Sequence, residues 1–163
     1  MNNWHQSQRG YFAGALFDEM EKDESIYLLV GDLGFGMWDK IKEKFPHRFI
    51  NCGASEQAMM GIAVGLALEG KKPFVYTITS FFLRCAETIS LYLDHENIAV
   101  RLVGSGRDDD YKHDGVSHYC YNAQDFIKQA QLMEYYPENK EQIPDLVRSM
   151  VEKEEASFIS LKR

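Results

Sequence analysis

The stretch Asn51-Cys52-Gly53-Ala54-Ser55-Glu56-Gln57 places a carboxylate where a short apolar run gives way to a helix rich in Ala, Gly and Met. A helix N-terminus leaves backbone N–H groups without partners, so Ser55 or the loop before it is expected to supply a cap. Glu56 falls in the first turn, where those N–H groups favour negative charge. Taken alone, it reads as a side chain complementing the helix dipole. Other polar groups occupy comparable places. Asp32 follows the apolar run 26–30, Thr79-Ser80-Phe81 follows the run 74–78, and a charged segment, 105–118, follows the run 98–103. Ligands of open parallel sheets collect outside the carboxyl ends of the strands. Such a sheet would gather Asp32, Glu56, Phe81 and the loop from Arg107 to His118 on one rim.

The elements needed to build that rim can be read along the chain. Residues 7–22 carry Tyr11, Phe12, Ala15, Leu16 and Met20 on one helical face. The short continuous apolar run 26–30 reads as a buried parallel strand, and 48–50, 74–78, 98–103, 134–136 and 157–161 as further strands. Between them, helices are expected over 34–45, 55–70, 81–93, 123–133 and 140–152. Gly70 is a natural helix stop, Pro73 a boundary before the third strand, and Gly104 a terminator of the fourth. Gly61 and Gly65, four residues apart in an apolar helix, would permit close approach of a sheet or a second subunit. Repeated strand–helix alternation implies a three-layer α/β/α sandwich around a mainly parallel, six-stranded sheet.

Bulk properties narrow the function classes. The 163 residues are expected to form one domain, with 45% apolar and 26% charged residues, ordinary values for a globular chain. A net charge of -7 argues against a generic nucleic-acid surface. Cys52, Cys85 and Cys120 have no close metal-ligand spacing and suit a reducing cytosol rather than a disulfide framework. No apolar run reaches the length of a membrane span, so the expectation is a soluble cytoplasmic protein without membrane partners.

Several familiar chemistries lack their residues. Gly31-Asp32-Leu33-Gly34-Phe35-Gly36 is glycine-rich but has neither the dinucleotide fingerprint nor the Lys-Ser pair of a P-loop. His113, Asp114 and His118 contain ligand types, but no fourth zinc ligand is marked. Cys52 and Cys85 have no companion base and read as small buried residues. The 105–118 segment, with Arg107, Asp108, Asp109, Asp110 and Lys112, is too long and charged for a minimal connector, which points to a functional loop.

The order of these stretches resembles the pyrimidine-binding domain of transketolases and 1-deoxy-xylulose-5-phosphate synthases. The residues that carry the resemblance are Val30-Gly31-Asp32-Leu33, Phe45-Pro46-His47-Arg48-Phe49-Ile50-Asn51, Gly53-Ala54-Ser55-Glu56-Gln57 with Met60-Gly61-Ile62-Ala63, Thr79-Ser80-Phe81 through Arg84, and Asp114-Gly115-Val116-Ser117-His118. The resemblance implies thiamine diphosphate as cofactor, with Glu56 as the glutamate that contacts its aminopyrimidine and activates it. Phe81 matches the aromatic packed on the pyrimidine face, and Arg84 and Asp32 match positions bordering the cofactor. Asp114 and His118 match a segment associated with the hydroxyls and carbonyl of a sugar or 2-keto donor. His118 is suited to proton exchange there.

The sequence also departs from the family pattern. Ser105-Gly106-Arg107 stands where transketolases of phosphorylated sugars tend to carry a histidine, although Arg107 could still meet an anion. The Gly-Asp-Gly segment and downstream Asn that bind the diphosphate and its Mg²⁺ (or Ca²⁺) are absent from these residues. The resemblance therefore implies a small subunit of a split, transketolase-like enzyme. It would need a separately encoded diphosphate-binding subunit, with self-association at the core of a heterotetramer. Ketol transfer from a ketose to an aldehyde is the expected reaction, and the isolated chain is expected to be inactive. A 2-oxoacid decarboxylase or acyloin-forming lyase subunit, or a non-catalytic homologue, are the alternatives.

Overall fold

In a computed structural model that describes residues 4–108, 110–119 and 121–163, the strands form one six-stranded sheet. They are β1 (Ile26–Val30), β2 (Phe49–Asn51), β3 (Lys72–Ile78), β4 (Arg101–Ser105), β5 (Met133–Tyr135) and β6 (Ser157–Leu161). Their order is β2-β1-β3-β4-β6-β5, and every neighbouring pair is parallel. The expected α/β architecture is therefore the observed one.

Helices cover both faces, and the strand register assigns side chains to them by simple alternation. Leu28, Val30, Phe74, Tyr76, Val103 and Ile159 face the core under α1 (Gln8–Lys22) and α6 (Ile143–Glu152). Leu29, Val75, Leu102 and Phe158 face the opposite core, beneath α3 (Glu56–Leu68), the helical segment 79–95 and α5 (Tyr121–Gln129). Burial on both faces explains why neighbouring positions such as Leu28 and Leu29, or Phe74 and Val75, are both apolar instead of alternating with polar ones.

Element boundaries differ from the sequence expectation in instructive places. The expected helix over 34–45 shortens to α2 (Asp39–Lys44). Before it lies a turn with positive φ at Asp32, Gly34 and Gly36, closed by Trp38 Nε1 donating to the Leu33 carbonyl at 3.0 Å. The single helix expected over 81–93 is three pieces: a 3₁₀ turn (Thr79–Cys85), a short α piece, α4 (Ala86–Thr88), and a π turn (Ile89–His95).

The fourth strand starts and ends later than expected, because Arg101 lies within it despite its charge. Its Nε donates to the Met150 carbonyl at 2.7 Å, and its Nη1 and Nη2 to those of Ala99 and Lys153, each at 2.8 Å. Those carbonyls satisfy the guanidinium that burial would otherwise penalise. Gly104 does not terminate the strand; it pairs with Thr77 on one side and Ser160 on the other. Pro73 likewise lies inside β3, paired with Tyr27.

At the amino ends of the strands, Lys72 Nζ lies 2.8 Å from Asp23 Oδ2, and Ser25 Oγ and N both donate to Asp23 Oδ1. Burial pushes the Asp23 carboxyl up, but these bonds outweigh it and hold the group at about 2. A folded value below the unfolded one, about 3.9, stabilises the fold above that pH, and the contribution is lost as pH falls toward 2. Urea unfolding of Asp23→Asn between pH 5 and pH 2 is therefore expected to show a shallower loss of stability than the wild type. Parallel pH curves would contradict the assignment.

Candidate functional site

The chain runs outward from β1 to β2, and α3 carries it back across to β3. The connections leaving the paired strands β1 and β3 consequently run in opposite directions, to β2 and to β4, which makes a topological switch point where ligands of such sheets bind. Glu56 emerges there as the first residue of α3. Ser55 occupies the capping position but makes no side-chain cap bond, so the local capping expectation fails for its hydroxyl. Its carbonyl instead accepts from Met59 N at 2.9 Å.

Glu56 is 4% exposed, and Arg84 Nη1 lies 2.5 Å from its Oε1. The guanidinium carbon of Arg84 lies 4.1 Å from the centroid of the Phe81 ring. The 3₁₀ turn explains this stacking. With three residues per turn, positions i and i+3 eclipse, so Phe82 and Cys85 form one row, buried in the core, while Phe81 and Arg84 form another at the rim. Cys85 is fully buried, and burial raises its thiol to about 12, with the Glu56 charge adding to the effect. Cys52 is half-buried, and its thiol too is raised by burial. Cys120 and Asp109 lie outside the described residues.

From Phe81 the cluster continues into the 105–118 loop. The His118 ring stands edge-on to Phe81 with centroids 5.1 Å apart, and Ser117 Oγ lies 3.0 Å from His118 Nδ1. Ser80 Oγ donates to the Ser117 carbonyl at 2.8 Å, tying the loop to the turn that carries Phe81. Glu56, Arg84, Phe81 and His118 thus form one continuous string of contacts.

The other predicted residues enter separate networks. Asp32 is exposed; its N–H donates to Asn51 Oδ1 at 3.1 Å, and Asn51 Nδ2 donates back to its Oδ1 at 2.9 Å. Asp114 pairs with Arg163 at 3.5 Å. Arg107 is buried, and its Nη2 donates to the Pro137 carbonyl at 2.5 Å. Among the described residues, no three or more His, Cys, Asp and Glu side chains converge to hold a metal ion. No helix among them is long and apolar enough to cross a membrane.

Sequence reading did not single out Tyr111 or Arg163. Tyr111 lies within the charged loop, where its hydroxyl meets Ser105 Oγ at 2.9 Å and accepts from Arg9 Nη1 at 3.2 Å. Arg163 N donates to Asp110 Oδ2 at 2.6 Å, joining the last residue of the chain to that loop. Neither residue falls in a motif, and only the fold brings them together. A cavity of about 450 Å³ lies to one side, walled by Trp4, His5, Arg9, Gly34, Phe35 and Lys40 among others; the Glu56 carboxylate is not part of its wall.

Comparison with known proteins places this geometry in context. A family model described as the transketolase pyrimidine-binding domain matches residues 5–163. An uncharacterized 33.6 kDa protein from the fasciation locus of Rhodococcoides fascians is 31% identical over 66% of this chain and 35% of its own length. A probable chloroplastic 1-deoxy-D-xylulose-5-phosphate synthase of Capsicum annuum is 35% identical over 59% of this chain and 14% of its own. The 6-deoxy-6-sulfo-D-fructose transketolase subunit SqwH of Clostridium sp. (strain MSTE9) is 31% identical over 60% of this chain and 31% of its own. The chain thus spans about a third or less of the length of these curated relatives. Among solved structures, a split-gene transketolase described as an inactive beta4 tetramer superposes with a TM-score of 0.84 at 26% identity, over 96% of this chain and 51% of that one. The transketolase of Campylobacter jejuni shares the fold, with a TM-score of 0.86 at 16% identity, over 96% of this chain and 26% of its own.

Proposed function

We propose, from the premise that this chain belongs to the transketolase pyrimidine-binding domain family, that it is the small subunit of a split thiamine-diphosphate-dependent transketolase. Residues 1–163 would form one pyrimidine-binding domain, completed by a separately encoded diphosphate-binding subunit that holds the divalent ion. The observation that carries this reading is the buried Glu56 carboxylate at a helix start, joined through Arg84 to the Phe81 face. That donor set fits an aminopyrimidine: a carboxyl for a ring nitrogen and an aromatic surface for the ring.

When bound, thiamine diphosphate supplies a nucleophilic carbon and an electron sink for carbon–carbon cleavage. The residues of this chain supply the setting. Glu56 holds a proton at its carboxyl toward the pyrimidine ring nitrogen, and its burial keeps water from competing for that bond. Phe81 fixes the ring plane by its face. Ser117 engages His118 Nδ1, so a donor substrate meets Nε2, the nitrogen positioned for proton exchange with a hydroxyl or carbonyl oxygen. Asp114 is four residues before His118 on the same loop, suited to accept a donor hydroxyl. Arg107, pointed at Pro137, would need to leave that carbonyl to meet a substrate anion.

Self-association is supported by the outer side of α3 and the adjoining segment. Nothing lies within 4 Å of a Cβ placed on Gly61 or Gly65; Ile62 and Leu68 of the same helix are exposed, as are Leu83, Leu91 and Tyr92 of the segment 79–95. A structurally similar split-gene transketolase described as an inactive beta4 tetramer supports self-association of such a subunit.

Co-purification should identify the partner. The isolated chain is expected to show no ketol transfer, and the reconstituted complex to gain it with thiamine diphosphate and Mg²⁺. A panel of ketose donors and 2-oxoacids would define the chemistry. Carbon dioxide release without ketol transfer would redirect the reading to a decarboxylase.

A further inference from the structure

The side chain that ties together the chain segments leaving β1 and β2 belongs to Asn51, the last residue of β2. We propose that Asn51 is a positioning residue for the cofactor, its single amide fixing both the Asp32 carboxylate and the turn that delivers Glu56. The proposal rests on the reading of Glu56 and Asp32 as cofactor contacts.

The amide makes three hydrogen bonds. Its Oδ1 accepts from Asp32 N at 3.1 Å and from Gly53 N at 3.0 Å, and its Nδ2 donates to Asp32 Oδ1 at 2.9 Å. Two backbone donors on one atom identify that atom as the oxygen, which leaves the nitrogen facing the carboxylate. Both residues so held have left-handed backbones, with φ of 56° at Asp32 and 64° at Gly53. That conformation costs glycine little and aspartate more, so Asp32 keeps it only where its surroundings fix it. Asn51 bonds it at both its N–H and its carboxylate.

The two arms of the amide end in different parts of the site. The donor arm aims the Asp32 carboxylate. The acceptor arm holds Gly53, where the chain turns out of the sheet: Ser55 N donates back to the Gly53 carbonyl at 2.8 Å, and Glu56 follows as the first residue of α3. Ser55 makes no side-chain cap bond, so the start of this helix is set from before the turn. The amide itself stands on a fixed base, since Asn51 pairs with Val30 in the sheet and Cys52 N donates to the Val30 carbonyl at 2.9 Å. Asn51 therefore acts through Asp32 and the turn, without needing to touch the cofactor.

The test compares two variants in the reconstituted complex, by calorimetric titration of thiamine diphosphate with Mg²⁺ and by proton exchange at its reactive carbon. Asn51→Asp keeps an acceptor for both backbone N–H groups, but loses the donor and sets a second carboxylate against Asp32. It is expected to bind the cofactor about tenfold more weakly, the weight of one hydrogen bond to a charged group, with near wild-type exchange at saturation. Asn51→Ala also releases Gly53, and should in addition slow exchange about tenfold because Glu56 is no longer held in place. In an Asp32→Ala background, Asn51→Asp should cost no further affinity, since the group it acts on is gone. A full loss there would overturn action through Asp32, and equal effects of the two variants on both readouts would overturn the division between the arms. Variants that only unfold at lower temperature, while binding and exchanging as wild type does, would overturn the positioning role altogether. Glu56→Gln separates this from the underlying reading. If that variant binds and exchanges the cofactor proton as wild type does, the pyrimidine-site assignment itself fails. If it is defective while both Asn51 variants behave as wild type, only the role given to Asn51 fails.

Discussion

Glu56→Gln in the reconstituted enzyme is expected to slow proton exchange at the reactive carbon of thiamine diphosphate by roughly 10²–10⁴-fold, the usual weight of a positioned acid–base group. The substitution is nearly isosteric. A glutamine carbonyl can still accept from Arg84 Nη1, so α3 and the 79–85 turn should remain joined and the subunit folded. What is lost is the carboxyl proton, which an amide cannot transfer. Because Glu56 is 4% exposed, bulk water is poorly placed to substitute for it. Exchange followed by NMR after acid quench isolates this step from substrate binding, which the unknown donor would otherwise obscure. Wild-type exchange in the variant would remove Glu56 from the mechanism, while weakened cofactor binding with normal exchange would make it an anchor only.

The difference between what sequence patterns and three-dimensional packing reveal is clearest around this residue. β1 is legible because it is an uninterrupted apolar run buried on both faces, and such runs have few other solutions. Glu56 and Phe81 are legible because each follows a strand that delivers it to the rim. The relation between Phe81 and Arg84 is less so. An α-helix over 81–93 has a 3.6-residue period, which does not eclipse residues three apart as the observed 3₁₀ turn does. The pairing of Asp114 with Arg163 joins residues far apart in sequence, across the ends of β4 and β6. Nothing local announces it. The bounds of β4 are obscure in the sequence for a further reason: a buried arginine and a glycine both look like interruptions when hydropathy alone is read. Arg101 is admitted because carbonyls receive its guanidinium, and Gly104 because the sheet there has no room for a side chain.

That crowding at Gly104 gives Gly104→Ala a large expected cost to the fold for so small a substitution. A Cβ at this position would lie 2.5 Å from Thr79 Oγ1 and 2.7 Å from Phe158 Cε2, both inside any ordinary contact distance. Neither neighbour can yield cheaply. Thr79 Oγ1 donates to the Ser105 carbonyl at 3.2 Å, and Phe158 is fully buried, edge-on to Phe82 with centroids 6.3 Å apart. Overpacking of this kind destabilises by about 1–3 kcal/mol, and two fixed neighbours place the expectation at the upper end, near 3 kcal/mol in urea unfolding. Phe158→Leu removes ring atoms from one side of the clash, so the double variant should lose less than the sum of the single losses. Additive losses, or a Gly104→Ala variant as stable as wild type, would mean that the close approach is absent. The strain also has a functional address. Thr79 opens the 3₁₀ turn, so displacing it moves Phe81 and Arg84 relative to Glu56, and the alanine variant should bind thiamine diphosphate more weakly even where it remains folded.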